Sequence, residues 1–230
     1  MKVEIWSDVV CPWCYVGKRR FEAALSQFPQ RDQVEVIWRA FELDPTSPRS
    51  TPEPQAERLA GKYGVSVAEA HSMLDHMTKV GADNGLDLNF EIARPGNTFD
   101  AHRLLHLALE RGVQDTLKER FFAATFTEGA PIGERDVLVR LATEAGLDGD
   151  EVRAILDSDR FAAEVRGDEV RANRLGVTGV PFFVIDERYG VSGAQPADLL
   201  LRVLEDAWNE AEHRPAEAAA GCDGDACAIA

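Results

Sequence analysis

Residues 3–14 read Val3-Glu4-Ile5-Trp6-Ser7-Asp8-Val9-Val10-Cys11-Pro12-Trp13-Cys14 and place two cysteines, three positions apart, behind a run of β-forming residues. The alternation of side chains predicts a strand that continues to Cys11. Pro12 is then suited to begin a helix, because the amide hydrogen that proline lacks would have no partner in a first turn. The free amides and the dipole of a helix N-terminus stabilise an anion, which favours the thiolate of Cys11. The segment therefore predicts a reactive cysteine between a strand and a helix.

The rest of the chain has strand patterns at its two ends and helical patterns between them. Alternation over 34–41 predicts a second strand, and the segments 181–185 and 190–193 predict a hairpin that precedes a last amphipathic helix. From about residue 53 to residue 175 the apolar periodicity is helical. Neither end buries both faces of a sheet alone, so we expect the ends to form one mixed sheet with a protruding helical cap.

This pattern divides the chain into four parts. Residues 1–45 and 176–213 are predicted to form the strand-bearing domain, and 46–175 the inserted helical domain. Residues 214–230 are rich in Ala, Glu and Gly and are predicted to be a flexible tail. Four prolines within residues 45–54 mark the first junction.

Several short polar residues of the chain match signals for helix starts and turns. Ser66 and Glu69 have the spacing of a capping box, and Thr98 and Ser158 are predicted N-caps. Asp8 lies three residues before Cys11, where a turn or capping role is favoured over a role in proton transfer.

The composition argues against several classes of function. The 230 residues include 25 Lys and Arg against 40 Asp and Glu, a formal net charge of −15, which repels nucleic acids and anionic lipids. We therefore expect neither a nucleic-acid nor a membrane partner. Glu4 and Asp8 interrupt any apolar leader near the start, so a cytoplasmic location is predicted. In that compartment, paired cysteines are redox-active or metal-binding rather than structural.

Cys11 and Cys14 form a candidate dithiol–disulfide pair. Cys11 is the predicted nucleophile, accessible from solvent, and Cys14, one helical turn further, is placed to resolve a mixed disulfide. A second feature is Val180-Pro181, directly before a predicted strand. This proline either begins an edge strand or forms a cis peptide bond whose loop lies beside Cys11 and pairs with an extended peptide.

Metal binding is the main competing interpretation. The chain has four cysteines, the number of ligands that structural zinc takes, but two of them lie on a tail that the fold does not need. His102 and His106 are four residues apart on one predicted helix, with Arg103 where a hydrolytic zinc helix carries glutamate. We expect solvated or half-buried helix histidines and predict no metal site.

The Cys-Pro-Trp-Cys motif, the helical insertion and Gly-Val-Pro before a hairpin resemble the DsbA-type branch of the thioredoxin superfamily. Residues 7–18 (SDVVCPWCYVGK) and 97–104 (NTFDAHRL) are similar to its FrnE subgroup. The resemblance covers the chain to about residue 212. It implies an α/β thioredoxin-like fold with a long all-helical insertion between the second strand and the cis-proline strand. It also implies thiol–disulfide exchange, with Cys11 attacking, Cys14 resolving and Pro181 as the cis-proline.

The resemblance also indicates partners and a binding rim. Protein or small-molecule thiols and disulfides are the implied substrates, without a bound cofactor, and a homodimer is compatible with it. Pro12, Trp13, Val180 and Pro181 are the predicted rim. The fold also resembles kappa-class glutathione transferases and 2-hydroxychromene-2-carboxylate isomerases, which bind glutathione and typically have serine in place of the first cysteine. In that alternative, glutathione is a substrate contacted by the segment that contains Asn97 and His102, although Asn97 serves equally well as a turn residue.

In a reducing cytoplasm we favour reduction or isomerisation of disulfides over net oxidation. Cys222 and Cys227 are predicted to form a second redox pair that exchanges with Cys11 and Cys14 at high effective concentration. The alternatives are a tail with spare or metal-scavenging thiols and, for the whole chain, a zinc- or cadmium-binding thiol protein.

Overall fold

A computed structural model describes residues 1–51 and 53–213. The α-helices and β-strands in these residues are, in chain order, β1 (Lys2–Ser7), α1 (Pro12–Gln27), β2 (Glu35–Ala40), α2 (Gln55–Tyr63), α3 (Val67–Asp83), α4 (Phe99–Glu110), α5 (Gln114–Phe126), α6 (Arg135–Glu144), α7 (Gly149–Leu156), α8 (Ala162–Arg174), β3 (Phe182–Ile185), β4 (Tyr189–Ser192) and α9 (Ala197–Glu212). The predicted tail, with Cys222 and Cys227, lies outside the described residues. The domain boundaries at residues 45, 175 and 213 stay predictions.

The four strands form one mixed sheet with the order β2-β1-β3-β4. The β1–β2 pair is parallel, whereas β3 pairs antiparallel with β1 and with β4. Helices α1 and α9 cover one face, where Phe21, Phe28, Phe183 and Leu204 belong to one buried cluster. The predicted fold class is confirmed, as are the hairpin and the joining of both chain ends in one sheet.

The first strand is shorter than the sequence predicts, because it ends at Ser7 rather than at Cys11. Two hydrogen bonds turn the chain away from the sheet. The Leu43 amide donates to the Asp8 carboxylate at 2.8 Å, and the Cys11 amide donates to the Asp8 carbonyl at 3.2 Å. Val9 and Val10 follow β1 as a turn in which Val9 is fully buried, so burial rather than strand pairing explains their apolar character.

The edge strand β2 is bound by a side chain from the insertion. The Trp38 amide donates to Gln114 Oε1 at 2.9 Å, and Gln114 Nε2 donates to the Trp38 carbonyl at 2.9 Å. Gln114 thus pairs with both backbone groups of one residue, as a neighbouring strand would. This contact ties the start of α5 to the sheet.

A buried ion cluster connects α8 to the sheet. Glu4 on β1 is 1% exposed and pairs with Arg39 on β2 and Arg171 on α8. Asp168 on α8 accepts a hydrogen bond from the Ala40 amide at 2.9 Å, and its carbonyl accepts one from Trp6 Nε1 at 2.9 Å. These contacts hold the last helix of the insertion against the sheet.

Of the three helix starts predicted in the insertion, the structure confirms two. Ser66 and Glu69 form the complete capping box of α3. Thr98 is the N-cap residue of α4, without a hydrogen bond from its side chain. The prediction for Ser158 is wrong, because α8 begins after Phe161, and the Ser158 hydroxyl donates back to the Ile155 carbonyl at 3.0 Å. In the described part of the chain, no helix is long and apolar enough to cross a membrane.

Candidate functional site

The two described cysteines lie at the start of α1. Cys11 is its N-cap residue, Pro12 occupies the first helical turn, and Cys14 follows one turn in. Both are thiols; Cys11 is 5% exposed and Cys14 fully buried. The Cys11 thiol donates to the Val180 carbonyl at a sulfur–oxygen distance of 3.6 Å. The site therefore contains an outer thiol at a helix N-terminus and an inner thiol behind it.

The loop before β3 forms the second side of the site. The Val180-Pro181 peptide bond is cis, as one of the two sequence interpretations predicts. Pro181 is buried against Gly17 on α1, where a Cβ atom would lie only 2.8 Å from Pro181 Cγ. Gly17 thus allows α1 and this loop to approach each other, a role that the sequence analysis missed. The only local signal for it is a glycine inside a helical pattern.

A cleft of about 940 Å³ opens beside Cys11, between the sheet domain and the inserted helices. Cys11, Pro12, Trp13 and Val180 line one side, with Trp13 41% exposed. The opposite side consists of residues of α2, α3 and the segment before α4, among them Arg58, Tyr63, Met73, Met77 and Phe90. Cys11 is thus nearly buried yet faces open space. The volume and the mixture of apolar and charged walls suit a short peptide segment or a small thiol compound.

The predicted rim residues do not all meet at this cleft. Pro12, Trp13 and Val180 line it, whereas Pro181 lies just behind Val180. Asn97 is half-buried in the connection to α4, where Oδ1 accepts the Phe99 amide at 3.0 Å and Nδ2 donates to the Pro45 carbonyl at 3.2 Å. These contacts are those of a turn residue. Any contact of Asn97 with a substrate stays a prediction.

Behind the cysteines, the structure buries a group of titratable side chains. His102 Nε2 lies 3.5 Å from Asp8 Oδ1, and each side chain is 1% exposed. Burial opposes ionisation of Asp8, but the adjacent His102 and the Lys118 charge hold the pKa of this carboxyl below its ordinary value. Burial lowers the pKa of His102 against the opposing effect of Asp8. A neutral imidazole therefore stands beside a carboxylate at neutral pH, and Asp8 itself reaches the wall of the cleft.

Lys118 on α5 lies in the same region. Its side chain is fully buried, and its ammonium donates to the Ser7 carbonyl at 3.3 Å. Burial lowers the pKa of Lys118 from 10.5 to about 8, although the Cys14, Asp8 and Cys11 charges oppose this shift. The pKa of the Cys14 thiol is raised well above its ordinary value, first by burial and then by Cys11, with Lys118 opposing. Ionisation of the inner thiol is therefore opposed by its burial and favoured by the Lys118 ammonium.

Both helix histidines are more buried than the sequence predicts. His102 is 1% and His106 8% exposed, and His106 Nε2 lies 3.1 Å from Asp168 Oδ2. The expectation of solvated or half-buried histidines is therefore wrong, because α4 runs through the centre of the insertion and packs on several sides. Each imidazole faces a different carboxylate. Among the described residues, no group of three or more His, Cys, Asp or Glu side chains is arranged to hold a metal ion.

This geometry, a strand followed by a paired-cysteine helix start and a cis-proline loop, agrees with the match of a family model. The model for a DSBA-like thioredoxin domain matches residues 2–205. The chain belongs to the DsbA-like thioredoxin domain family. It is thereby a thiol–disulfide oxidoreductase of the DsbA-like type, an assignment that the similar solved structures support. The narrower FrnE assignment stays a prediction.

Three proteins illustrate the range of the DsbA-like relatives. The uncharacterized protein YwbO of Bacillus subtilis (strain 168) is 30% identical over 208 residues, which cover 89% of this chain and 96% of YwbO. The crystal structure of a probable DsbA oxidoreductase from Streptomyces coelicolor has 47% identity and a TM-score of 0.89, covering 100% of this chain and 99% of that one. The cytosolic disulfide reductase DsbM from Pseudomonas aeruginosa shares the fold at 19% identity, with a TM-score of 0.63 and coverage of 91% and 100%.

Proposed function

We propose that this DsbA-like enzyme reduces or isomerises disulfides of peptides or small thiol compounds in the cytoplasm, with Cys11 as nucleophile and Cys14 as resolving thiol. The observation that carries the proposal is the position of the Cys11 sulfur. It lies at the N-terminus of α1 and on the wall of the cleft, with the Cys14 thiol fully buried behind it. An incoming disulfide therefore meets the outer sulfur, Cys11. The inner sulfur, Cys14, reacts with Cys11 inside the protein.

Reduction of one substrate disulfide then consists of two exchanges, after which an external thiol such as glutathione reduces the Cys11–Cys14 disulfide and completes the turnover. The Cys11 thiolate attacks one sulfur of the substrate disulfide, which forms a Cys11–substrate bond and releases the other sulfur as a thiolate. Cys14 attacks Cys11, so the Cys11–Cys14 disulfide forms and the second substrate thiol leaves. The substrate gains two electrons and the cysteine pair loses two. The Val180 carbonyl beside Cys11 supplies a backbone acceptor for the amide of a bound peptide.

The cytoplasmic role and the direction of exchange are supported by a protein of the same fold and by the charge of the chain. DsbM, which has this fold, is described as a cytosolic disulfide reductase, and one of its structures contains glutathione. The charge of −15 disfavours anionic membrane surfaces. In a reducing cytoplasm, reduction and isomerisation are the directions that glutathione sustains.

Insulin reduction with dithiothreitol as electron donor tests the proposal on three forms of the full chain. Cys11→Ser is expected to abolish turnover, and Cys14→Ser to accumulate a mixed disulfide that mass spectrometry detects on Cys11. Full insulin-reduction activity of Cys11→Ser would contradict the proposal. A glutathione transferase, whose chemistry tolerates serine at this position, would instead fail to accelerate insulin reduction in any of the three forms.

The predicted second redox pair needs its own test, because Cys222 and Cys227 lie outside the described residues. If the pair exchanges with Cys11 and Cys14, replacing both tail cysteines by serine slows steady-state turnover and changes the redox state of the inner pair. Unchanged turnover together with an unchanged redox state would remove this role.

A further inference from the structure

Two lysines are buried in this protein, and their surroundings differ. Lys18 on α1 has a side chain that is 3% exposed, and its ammonium pairs with Glu22, with Asp115 at 3.1 Å and with Glu119 at 3.2 Å. Lys118 on α5 is fully buried, and among the described residues its ammonium has one hydrogen-bond acceptor, the Ser7 carbonyl. A buried ammonium without a paired carboxylate is costly, so its retention calls for a specific partner.

Lys118 lies in the same buried region as the cysteine pair. Its ammonium lies 5.0 Å from the centre of the Phe122 ring, and Phe122 belongs to the buried cluster that contains Cys11 and Cys14. The hydrogen bond to Ser7 places the ammonium at the end of β1, where the chain turns toward Cys11. Lys118 and Cys14 act on each other electrostatically, the ammonium favouring the thiolate and the thiolate favouring the ammonium.

We propose that Lys118 is the counter-charge for the thiolate that forms on Cys14 in the second exchange. This inference rests on the proposed function and deepens it. In this step the Cys14 thiol gives up its proton, the Cys11–Cys14 bond forms, and the bond between Cys11 and the substrate breaks. The departing substrate thiolate takes up one proton, so protons and electrons balance.

The titratable groups that interact with Lys118 come from several neighbouring elements. They are Cys11 and Cys14 at the start of α1, Asp8 in the turn after β1, His102 on α4 and Asp115 on α5. Asp8 is the anion of this group that reaches the cleft, and Asp115 is shared with Lys18. When Cys14 is a thiol or part of a disulfide and carries no charge, Asp8 and Asp115 partly balance the charge of the Lys118 ammonium.

A two-phase reaction with 5,5′-dithiobis(2-nitrobenzoate) separates the two exchanges. The test uses the full chain with Cys222→Ser and Cys227→Ser, so that only Cys11 and Cys14 react. Attack by Cys11 releases the first nitrothiobenzoate and attack by Cys14 releases the second. We expect Lys118→Met to slow the second release about tenfold or more near pH 7 and to slow the first release much less. Lys118→Arg, which keeps the charge, is expected to restore most of the rate.

The matched control is Lys18→Met, which removes the other buried lysine and is expected to change neither release. An equal rate of the second release with and without Lys118→Met, both in the chain that lacks the tail cysteines, would overturn the proposal. Failure of Cys11→Ser to abolish the first release would instead contradict the proposed function, so the two failures are distinguishable.

A measurement on the chain with Lys118 intact covers the case in which Lys118→Met does not fold. NMR titration of the Lys118 side chain in two variants, Cys11→Ser and Cys11→Ser with Cys14→Ser, compares its pKa with and without the Cys14 thiol while position 11 carries no charge. We expect the Lys118 pKa to be higher in the variant that keeps Cys14, because only that variant can form the Cys14 thiolate near the ammonium. The same Lys118 pKa in both variants would overturn the proposal.

Discussion

Gly17 of α1 packs directly against the ring of Pro181, and a Cβ atom at Gly17 would lie 2.8 Å from Pro181 Cγ. This contact fixes the distance between the helix that begins with Cys11 and the loop that carries Val180. The two sides of the candidate site are therefore positioned by a residue that belongs to neither rim.

Gly17→Ala is expected to push the Val180 loop away from α1. The overlap costs about 1–3 kcal/mol of unfolding free energy, and exchange activity falls because the Val180 carbonyl leaves the Cys11 sulfur. Chemical denaturation and insulin reduction measure the two effects. Gly167→Ala on α8 is the matched control, since a Cβ there meets nothing within 4 Å, and helix propensity predicts a gain of up to about 1 kcal/mol. Equal behaviour of the two variants would contradict the positional role of Gly17.

Gln114→Ala is expected to destabilise the fold by about 2–4 kcal/mol, because it leaves the buried amide and carbonyl of Trp38 without partners. Urea denaturation measures the loss, and hydrogen exchange of the Trp38 amide reports it locally. Gln195→Ala is a suitable control, because within the described residues its carboxamide makes a single, exposed hydrogen bond, to the nearby Ser192 carbonyl. A loss below about 0.5 kcal/mol for Gln114→Ala would show that water replaces the side chain there.

Lys118→Met is expected to make the fold more stable while impairing the second exchange. Because burial lowers the Lys118 pKa from 10.5 to about 8, the native state gives up this proton more readily than the unfolded chain. The resulting penalty, about 3 kcal/mol at most, is complete below pH 8 and disappears as the pH rises from 8 toward 10.5. The unsubstituted chain should therefore gain stability relative to Lys118→Met across that interval. Denaturation curves at pH 7 and pH 10 measure this gain, and a difference that is independent of pH would contradict the assignment.

Glu4→Ala is expected to cost about 3–5 kcal/mol, because it leaves Arg39 and Arg171 without their shared carboxylate inside the protein. The pKa of Glu4 lies below its ordinary value, since the two guanidinium groups outweigh the effect of burial. Its contribution is thus present at neutral pH and is lost as the pH falls below about 4.5. Glu187→Ala is the control, since Glu187 pairs with the same Arg171 but is 67% exposed and is worth less than about 1 kcal/mol. Similar losses of unfolding free energy for both variants would contradict the prediction that the buried Glu4 contributes more stability than the exposed Glu187.

Features encoded by residues close together in the sequence were predictable. The helix that begins at Pro12, the capping box of Ser66 and Glu69, and the hairpin of β3 and β4 each depend on a few adjacent residues. Pairing of the two chain ends in one sheet followed from the need to bury both faces. Helix capping and turn formation depend on neighbouring residues, and burial of both sheet faces depends only on the number and order of the strands, so all three can be inferred from the sequence.

Features that depend on contacts between distant residues were not predictable. The end of β1 is set by the bond from Leu43 to Asp8, and the burial of His102 by packing around α4. Lys118 resembles any polar residue of an amphipathic helix until the fold places it against β1. Periodicity indicates which helix faces are apolar. It does not reveal which helix residues the fold brings close to the cysteine pair.

Gln114 has a consequence for how this protein meets other chains. A strand at the border of a sheet normally presents free amides and carbonyls, which invite pairing with a strand of another molecule. Because Gln114 bonds both the amide and the carbonyl of Trp38, these groups in the middle of the edge strand β2 are not free to pair with a strand of another molecule. The insertion thereby helps the protein to resist self-association through that border.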